Sequence, residues 1–267
     1  MIRNLLIVVL VTFSIISEAQ ITELNGSPSK QMVSEVESPA FRKNNGQWDN
    51  EILYRMMSGH TSIAFYKDKI QFGLRKVSDK KSKSKNHPEI AYTIWDLRIE
   101  NKNAGSILLS EGKSTSKINY FKGESGKSIE IEESSKLTYS NVYPNIDLVF
   151  YLDKRKTLKY DFVVKVGGNL ADIKLTYDGI KKLKKDHHGN LIITAPWGNK
   201  LKEGKPISWQ TIGGKNVEVD IEYQVSGNTL SYKSNSTLQS NATLVIDPMM
   251  LDWSTYFYGK QGTTGWG

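Results

Sequence analysis

The chain has 267 residues, no cysteine, 38% hydrophobic residues and a formal net charge of +8. Without cysteine there are no disulfides and no thiolate metal sites, so a hydrophobic core must carry the stability. The basic balance points to anionic surfaces or polymers as partners, although lysine used for solubility gives the same balance.

Arg3 precedes an apolar stretch from Leu5 to Ile16, and Ser17-Glu18-Ala19 then puts small residues at both positions a signal peptidase reads. This is the layout of a secretory signal, and its apolar run is shorter than the roughly 20 residues of a spanning helix. Residues 1–19 are therefore predicted to be removed after Ala19. The mature chain is expected to be secreted or at the cell surface, with no transmembrane span and no nucleic-acid partner. No cysteine follows the apolar run, which excludes the lipid-anchored form of a surface protein. Residues 20–39, rich in Ser and Glu, read as a flexible polar leader.

From Phe41 onward, short β-branched and aromatic runs alternate with polar residues between Gly, Asn, Asp and Ser clusters, as strands do. Ile70, Phe72 and Leu74 form one such face. Between Ile90 and Ile99 the apolar phase shifts from Ile90, Tyr92 and Ile94 to Trp95, Leu97 and Ile99, which predicts a β-bulge. Lys76 to Pro88 reads as an exposed lysine-rich loop. Ile146–Leu152 and Leu158–Val164 alternate in phase, and Asp153–Thr157 predicts a hairpin loop pairing Leu152 with Leu158 and Phe150 with Tyr160. Val217, Val219, Ile221, Tyr223 and Val225 read as one strand with one wet face. No run of ten residues has a helical apolar period. These features predict an all-β antiparallel β-sandwich with little helix. It would consist of two packed β lobes, residues 40–130 and 135–248, divided at a composition break around Gly123–Ser135, and periodicity is compatible both with two sandwiches and with one extended sandwich.

Candidate chemistry is sparse. His187-His188 beside Asp186 is the one cluster of metal-ligand types, but adjacent strand residues point apart, and Asp186–Asn190 reads as a hairpin turn. The proposed hairpin brings Asp147 and Asp161 near each other on the face opposite Phe150 and Phe162. Lys159 and Lys165 are within reach, so a surface ion-pair ladder is favoured over a glycosidase pair. No nucleophile elbow, zinc-protease helix or phosphate loop occurs, which predicts no catalytic, metal or cofactor residues. Two lysine clusters are candidate polyanion contacts: Lys80, Lys81, Lys83 and Lys85, and Lys181, Lys182, Lys184 and Lys185. Lysine on loops and strand edges also blocks unwanted pairing. Trp197 and Trp209 are candidate glycan contacts, with core packing the commoner use of such residues.

Ordered motifs add a resemblance. Phe41-Arg42-Lys43-Asn44-Asn45-Gly46-Gln47-Trp48-Asp49 opens the series, and Asn119-Tyr120-Phe121 with Gly123 follows. Next come Tyr139 with Asn141-Val142-Tyr143-Pro144 and Ile146-Asp147-Leu148, then Leu158-Lys159-Tyr160-Asp161-Phe162. Asp186 with Gly189-Asn190-Leu191, Glu203 with Pro206 and Gln210, and Leu244-Val245-Ile246-Asp247-Pro248 complete it. Together they resemble the uncharacterised N-terminal β domain of bacterial SBBP-repeat surface proteins, which often end in type IX sorting or gliding-motility modules. Leu251 to Gly259 resembles the start of a propeller-type repeat, so 249–267 reads as its truncated beginning. Asn145 stands where that family usually has Gly, and Asn tolerates the left-handed backbone. The resemblance implies a non-catalytic β domain of a large secreted protein; a structural or interaction role in adhesion or the envelope is expected, and the basic charge suggests envelope or extracellular glycans as partners. A carbohydrate-binding sandwich is the alternative, and a secreted hydrolase stands further off.

Overall fold

The computed structural model describes residues 39–58, 61–81, 88–115, 118–121 and 128–248. The signal segment, the leader up to residue 38 and the propeller-like start at 249–267 lie outside the described residues. Among the described residues no helix is long and apolar enough to cross a membrane.

Among the described residues twenty strands follow in chain order. The first ten are β1 (Phe41–Lys43), β2 (Tyr54–Ser58), β3 (Thr61–Phe65), β4 (Lys69–Lys81), β5 (Pro88–Ile99), β6 (Ile107–Lys113), β7 (Ile118–Phe121), β8 (Ser128–Ile131), β9 (Glu133–Tyr143) and β10 (Ile146–Leu152). The rest are β11 (Leu158–Val164), β12 (Lys174–Asp178), β13 (Lys182–Lys185), β14 (Leu191–Thr194), β15 (Lys200–Glu203), β16 (Ile207–Ile212), β17 (Lys215–Glu218), β18 (Ile221–Ser226), β19 (Thr229–Ser234) and β20 (Thr243–Asp247). Among the described residues the only helix is a single 3-10 turn, Leu170–Asp172.

Fifteen strands form one antiparallel sheet. Its order is β17-β16-β20-β11-β10-β9-β1-β2-β3-β4-β5-β12-β19-β18, with β6 also on β9. Alternation puts one side chain in two on the inner face, and the sheet rolls over so that its two halves share those side chains. Phe65 of β3 meets Phe150 of β10 edge to face at 5.1 Å, and Phe162 of β11 meets Tyr232 of β19 at 5.8 Å. Hydroxyls fasten the same halves: Tyr139 Oη donates to the Tyr66 carbonyl at 2.6 Å and Tyr143 Oη to the Lys174 carbonyl at 2.8 Å. Strands β17 and β18, at opposite ends of the ladder, are joined by just Val219 and Asp220. The chain therefore passes directly from one end of the ladder to the other, and Val219 N, donating to the Ser208 carbonyl at 2.9 Å, carries the β16–β17 pairing up to the crossing.

The hairpin register matches the expectation, with Leu152 opposite Leu158 and Phe150 opposite Tyr160. Asn145 takes φ 59°, the left-handed backbone foreseen for it. Gly168, in the turn beside it, is a close approach: a Cβ there would lie 2.9 Å from the Asn145 carbonyl oxygen.

Four expectations need correction. The phase shift in β5 is no bulge, because pairing with β4 runs unbroken from Arg98 to Ile90. Instead Tyr92 and Ile94 face outward, 59% and 37% exposed. The segment read as a loop from Lys76 is paired strand to Lys81, with the register shift between Val77 and Lys81. The single strand through Val217–Val225 is two strands, split where the chain crosses between the ends of the ladder. Finally, residues 40–130 and 135–248 share one sheet and one core. Ile107 pairs with Ser140, and Leu97 pairs with Tyr177.

Candidate functional site

The three-stranded sheet β13-β14-β15 packs against the core of the large sheet, and alternation gives its two faces opposite character. Leu183, Ile193 and Leu201 align across it on the inner face and are buried. Glu203, on the same face, is buried among tyrosines from four strands of the large sheet. Its Oε1 accepts from Tyr160 Oη at 2.5 Å and from Tyr223 Oη at 2.9 Å. Burial pushes this carboxyl up to about 7, against the two tyrosyl hydrogen bonds that favour its charged form. Burial also raises Tyr160, Tyr177, Tyr223 and Tyr232 well above an ordinary phenol. A cavity of about 30 Å³ adjoins Glu203. That is room for one water and for no organic substrate. Glu203 is thus a fastening, and two ion pairs flank it, Lys185–Glu222 at 2.9 Å and Lys205–Asp220 at 2.7 Å.

The outer face of this sheet is a different surface. Lys182 aligns with Thr194 and Lys200, and Lys184 with Ile192 and Lys202. Four of these six outward positions are lysine and none is acidic. Neighbouring lysines stand about 7 Å apart along a strand and about 10 Å apart across the sheet. Lys181 and Lys185 extend the charge to a groove of about 680 Å³ between β13 and β18, with Gln224 and Asn228 on its far side. Lys185 is neutralised by Glu222. Among the described residues no ion pair reaches Lys181, Lys182, Lys184, Lys200 or Lys202. Elsewhere Lys69 pairs with Asp96, Lys113 with Glu132, Lys136 with Glu111, and Lys165 with Asp147, while among the described residues no ion pair reaches Lys67, Lys102, Lys154, Lys156 or Lys215, which are scattered over other loops and strands.

At one end of the lysine face, the β14–β15 turn carries Trp197, 37% exposed. Two backbone bonds hold the turn rigid, Ala195 N to the Asn199 carbonyl and Gly198 N to the Ala195 carbonyl, both 2.8 Å. Lys181 Nζ lies 3.8 Å from where a Cβ on Gly198 would sit, which brings an ammonium beside the indole's turn. Trp209 lies on the other sheet, half-buried on the outer face of β16 in register with Val245 and Glu218. Neither tryptophan belongs to the buried core, which corrects the commoner expectation for both.

Among the other sequence candidates, Asp186 closes the expected turn. Its Oδ1 accepts from His188 N and Asn190 N at 2.9 Å, and the Asn190 side chain, ahead of these backbone bonds, draws its carboxyl down to about 2. His187 and His188 are exposed, and among the described residues no three His, Asp or Glu side chains converge as a metal site would require. Asp147 and Asp161 face outward as foreseen. Asp147 takes Lys165 at 2.7 Å, as the ion-pair ladder requires. Asp161 instead stands beside Asp247, and burial, then that neighbour, holds it up to about 7. Neither Asp161 nor Asp247 lines the groove or the cavity. Lys83 and Lys85 lie outside the described residues. Lys80 and Lys81 belong to β4, and nothing is described of their side chains.

Sequence reasoning missed Lys200 and Lys202, and gave Glu203 a place in a motif but no role. The Lys200-Leu201-Lys202-Glu203 alternation was the available signal, but its meaning depends on the pairing that puts both lysines in line with Lys182 and Lys184.

The motif residues quoted above hold the scaffold together. Asn44 Oδ1 accepts from Gly46 N and Trp48 N, and its amide donates to the Asp49 and Ile52 carbonyls. Gln47 donates to the Lys43 carbonyl, and Gln210 exchanges hydrogen bonds with the Gln239 backbone. No curated protein and no solved structure matches the chain. A family model, a domain of unknown function, matches residues 41–249. Over that span the chain belongs to the DUF7948 family.

Proposed function

We propose that the domain is a non-catalytic interaction module of a secreted or surface-displayed bacterial protein, engaged in adhesion or envelope association through the lysine face of β13-β14-β15. The observation that carries this reading is the concentration of charge. Lys182, Lys184, Lys200 and Lys202 stand in register on one face of a small sheet with no acid among its six outward positions, and like charges held together on a rigid sheet attract a polyanion. The carboxylates with raised pKa support no chemistry in this reading, since Glu203 is sealed and Asp161 with Asp247 lies on an outer sheet face away from both concavities. The signal-like N-terminus and the resemblance to SBBP-repeat domains support the extracellular setting.

Titrating the labelled protein with heparin, a generic polyanion, tests the site. Amide resonances of residues 181–202 should shift first and saturate. Shifts spread evenly over the surface, or centred on β4 and β5, would contradict it.

A further inference from the structure

We infer that the lysine face takes an acidic polysaccharide, with carboxylates or sulfates on Lys182, Lys184, Lys200 and Lys202 and one sugar ring against Trp197. The inference rests on the reading of that face as a binding surface and adds the chemical class of the ligand.

Three observations select a glycan over an acidic peptide. The first is the partly exposed indole on a turn pinned by two 2.8 Å backbone bonds. A rigid aromatic face beside polar groups suits a ring with one apolar side and a hydroxylated rim, and the nearby Lys181 ammonium adds a partner for its acid group. The second is what the surface offers between the lysines. The Thr194 hydroxyl lies among them and the Gln224 and Asn228 amides line the groove, groups that exchange hydrogen bonds with hydroxyls. The third is the groove floor. Leu183 and Tyr223 are 4% and 0% exposed, so no pockets open for the alternate side chains by which an added peptide strand is recognised. Export argues against nucleic acid, which would use the same lysines and indole.

Binding of the purified protein to polygalacturonate, dextran and poly-glutamate, measured by calorimetry over a range of salt, tests this. Polygalacturonate should bind saturably and poly-glutamate at least tenfold more weakly, while neutral dextran should not bind. Trp197→Ala should weaken polygalacturonate binding by about tenfold, the size of one ring stack, and leave the salt slope unchanged. Lys200→Gln with Lys202→Gln should lower the slope of log K against log salt by about 2, one per ammonium removed. All three substitutions are at exposed or turn positions, and unchanged thermal unfolding would show that the fold is intact. Equal binding of poly-glutamate, or indifference to Trp197→Ala, overturns the polysaccharide and leaves the lysine face standing as a general polyanion site. If neither polyanion binds, or the lysine variant binds and responds to salt as the wild type does, the binding face and the inference fall together.

Discussion

Glu203 shows how one residue can join two sheets. Its carboxyl is the meeting point of hydroxyls from β11 and β18 and comes from β15. Because its pKa is raised from 4.5 to about 7 in the fold, the native state keeps a proton that the unfolded chain has lost between those values. Stability therefore falls as pH rises from about 4.5 to 7 and is flat above, by an amount on the order of 3 kcal/mol for this group. Asp161, also held up to about 7, contributes with the same sign. Asp186 works in the opposite direction: its lowered pKa stabilises the fold above 3.8, and that gain is lost as pH falls toward about 2. Thermal unfolding followed from pH 4.5 to 8 should show a falling Tm, and Glu203→Gln, which keeps the acceptor and removes the charge, should make the fall clearly shallower and leave the share that belongs to Asp161. A Glu203→Gln profile as steep as the wild type's would place the pH dependence elsewhere. Tyr160→Phe should cost about 1–3 kcal/mol in denaturant unfolding at pH 8, where the carboxylate most needs its donors. None of this was legible in the sequence, where Glu203 is one acid in a charged run, and only the three-dimensional meeting with Tyr160 and Tyr223 distinguishes it.

At the scale of elements, alternation was read correctly where both partner strands are local. The β10–β11 hairpin follows from in-phase apolar residues and a five-residue loop, and its register came out residue for residue. Periodicity failed where the pairing is remote. Val217 to Val225 keeps a perfect period of two, yet β17 and β18 pair with different strands at opposite ends of the ladder. In β5 the shift of phase reflected exposed Tyr92 and Ile94, because alternation fixes which residues share a face but not that every apolar residue lies inside. The small sheet makes the two-sidedness testable within one strand. Leu201→Ala should lower stability by about 2–5 kcal/mol, as for a buried leucine, while Lys202→Gln should change it by less than about 0.5. Denaturant titration of both variants checks this, and equal losses would mean that the outer lysines are structural.

For the whole molecule, the rolled sheet makes the chain one cooperative unit. β1 lies between β2 and β9, and β5 pairs with β12, so cutting at the composition break near residue 130 would strip partners from both halves. Segments 40–130 and 135–248 expressed separately should each lack a folded β spectrum, and a stable, folded half would contradict the single core. Composition anticipated the overall positive charge but could not localise it. A charge of +8 spread evenly gives a soluble protein, whereas the same charge concentrated on one rigid face gives a binding surface. The most direct measurement is the salt needed to elute two charge-matched variants from immobilised heparin. In one, Lys182, Lys184, Lys200 and Lys202 are changed to Gln; in the other, Lys113, Lys136, Lys165 and Lys215 are changed to Gln. Both lose four positive charges, so a lysine-face binder predicts that the first variant elutes far earlier than the second, which stays near the wild type. Equal elution of the two would show that net charge alone holds the protein, and the proposed binding face would be wrong.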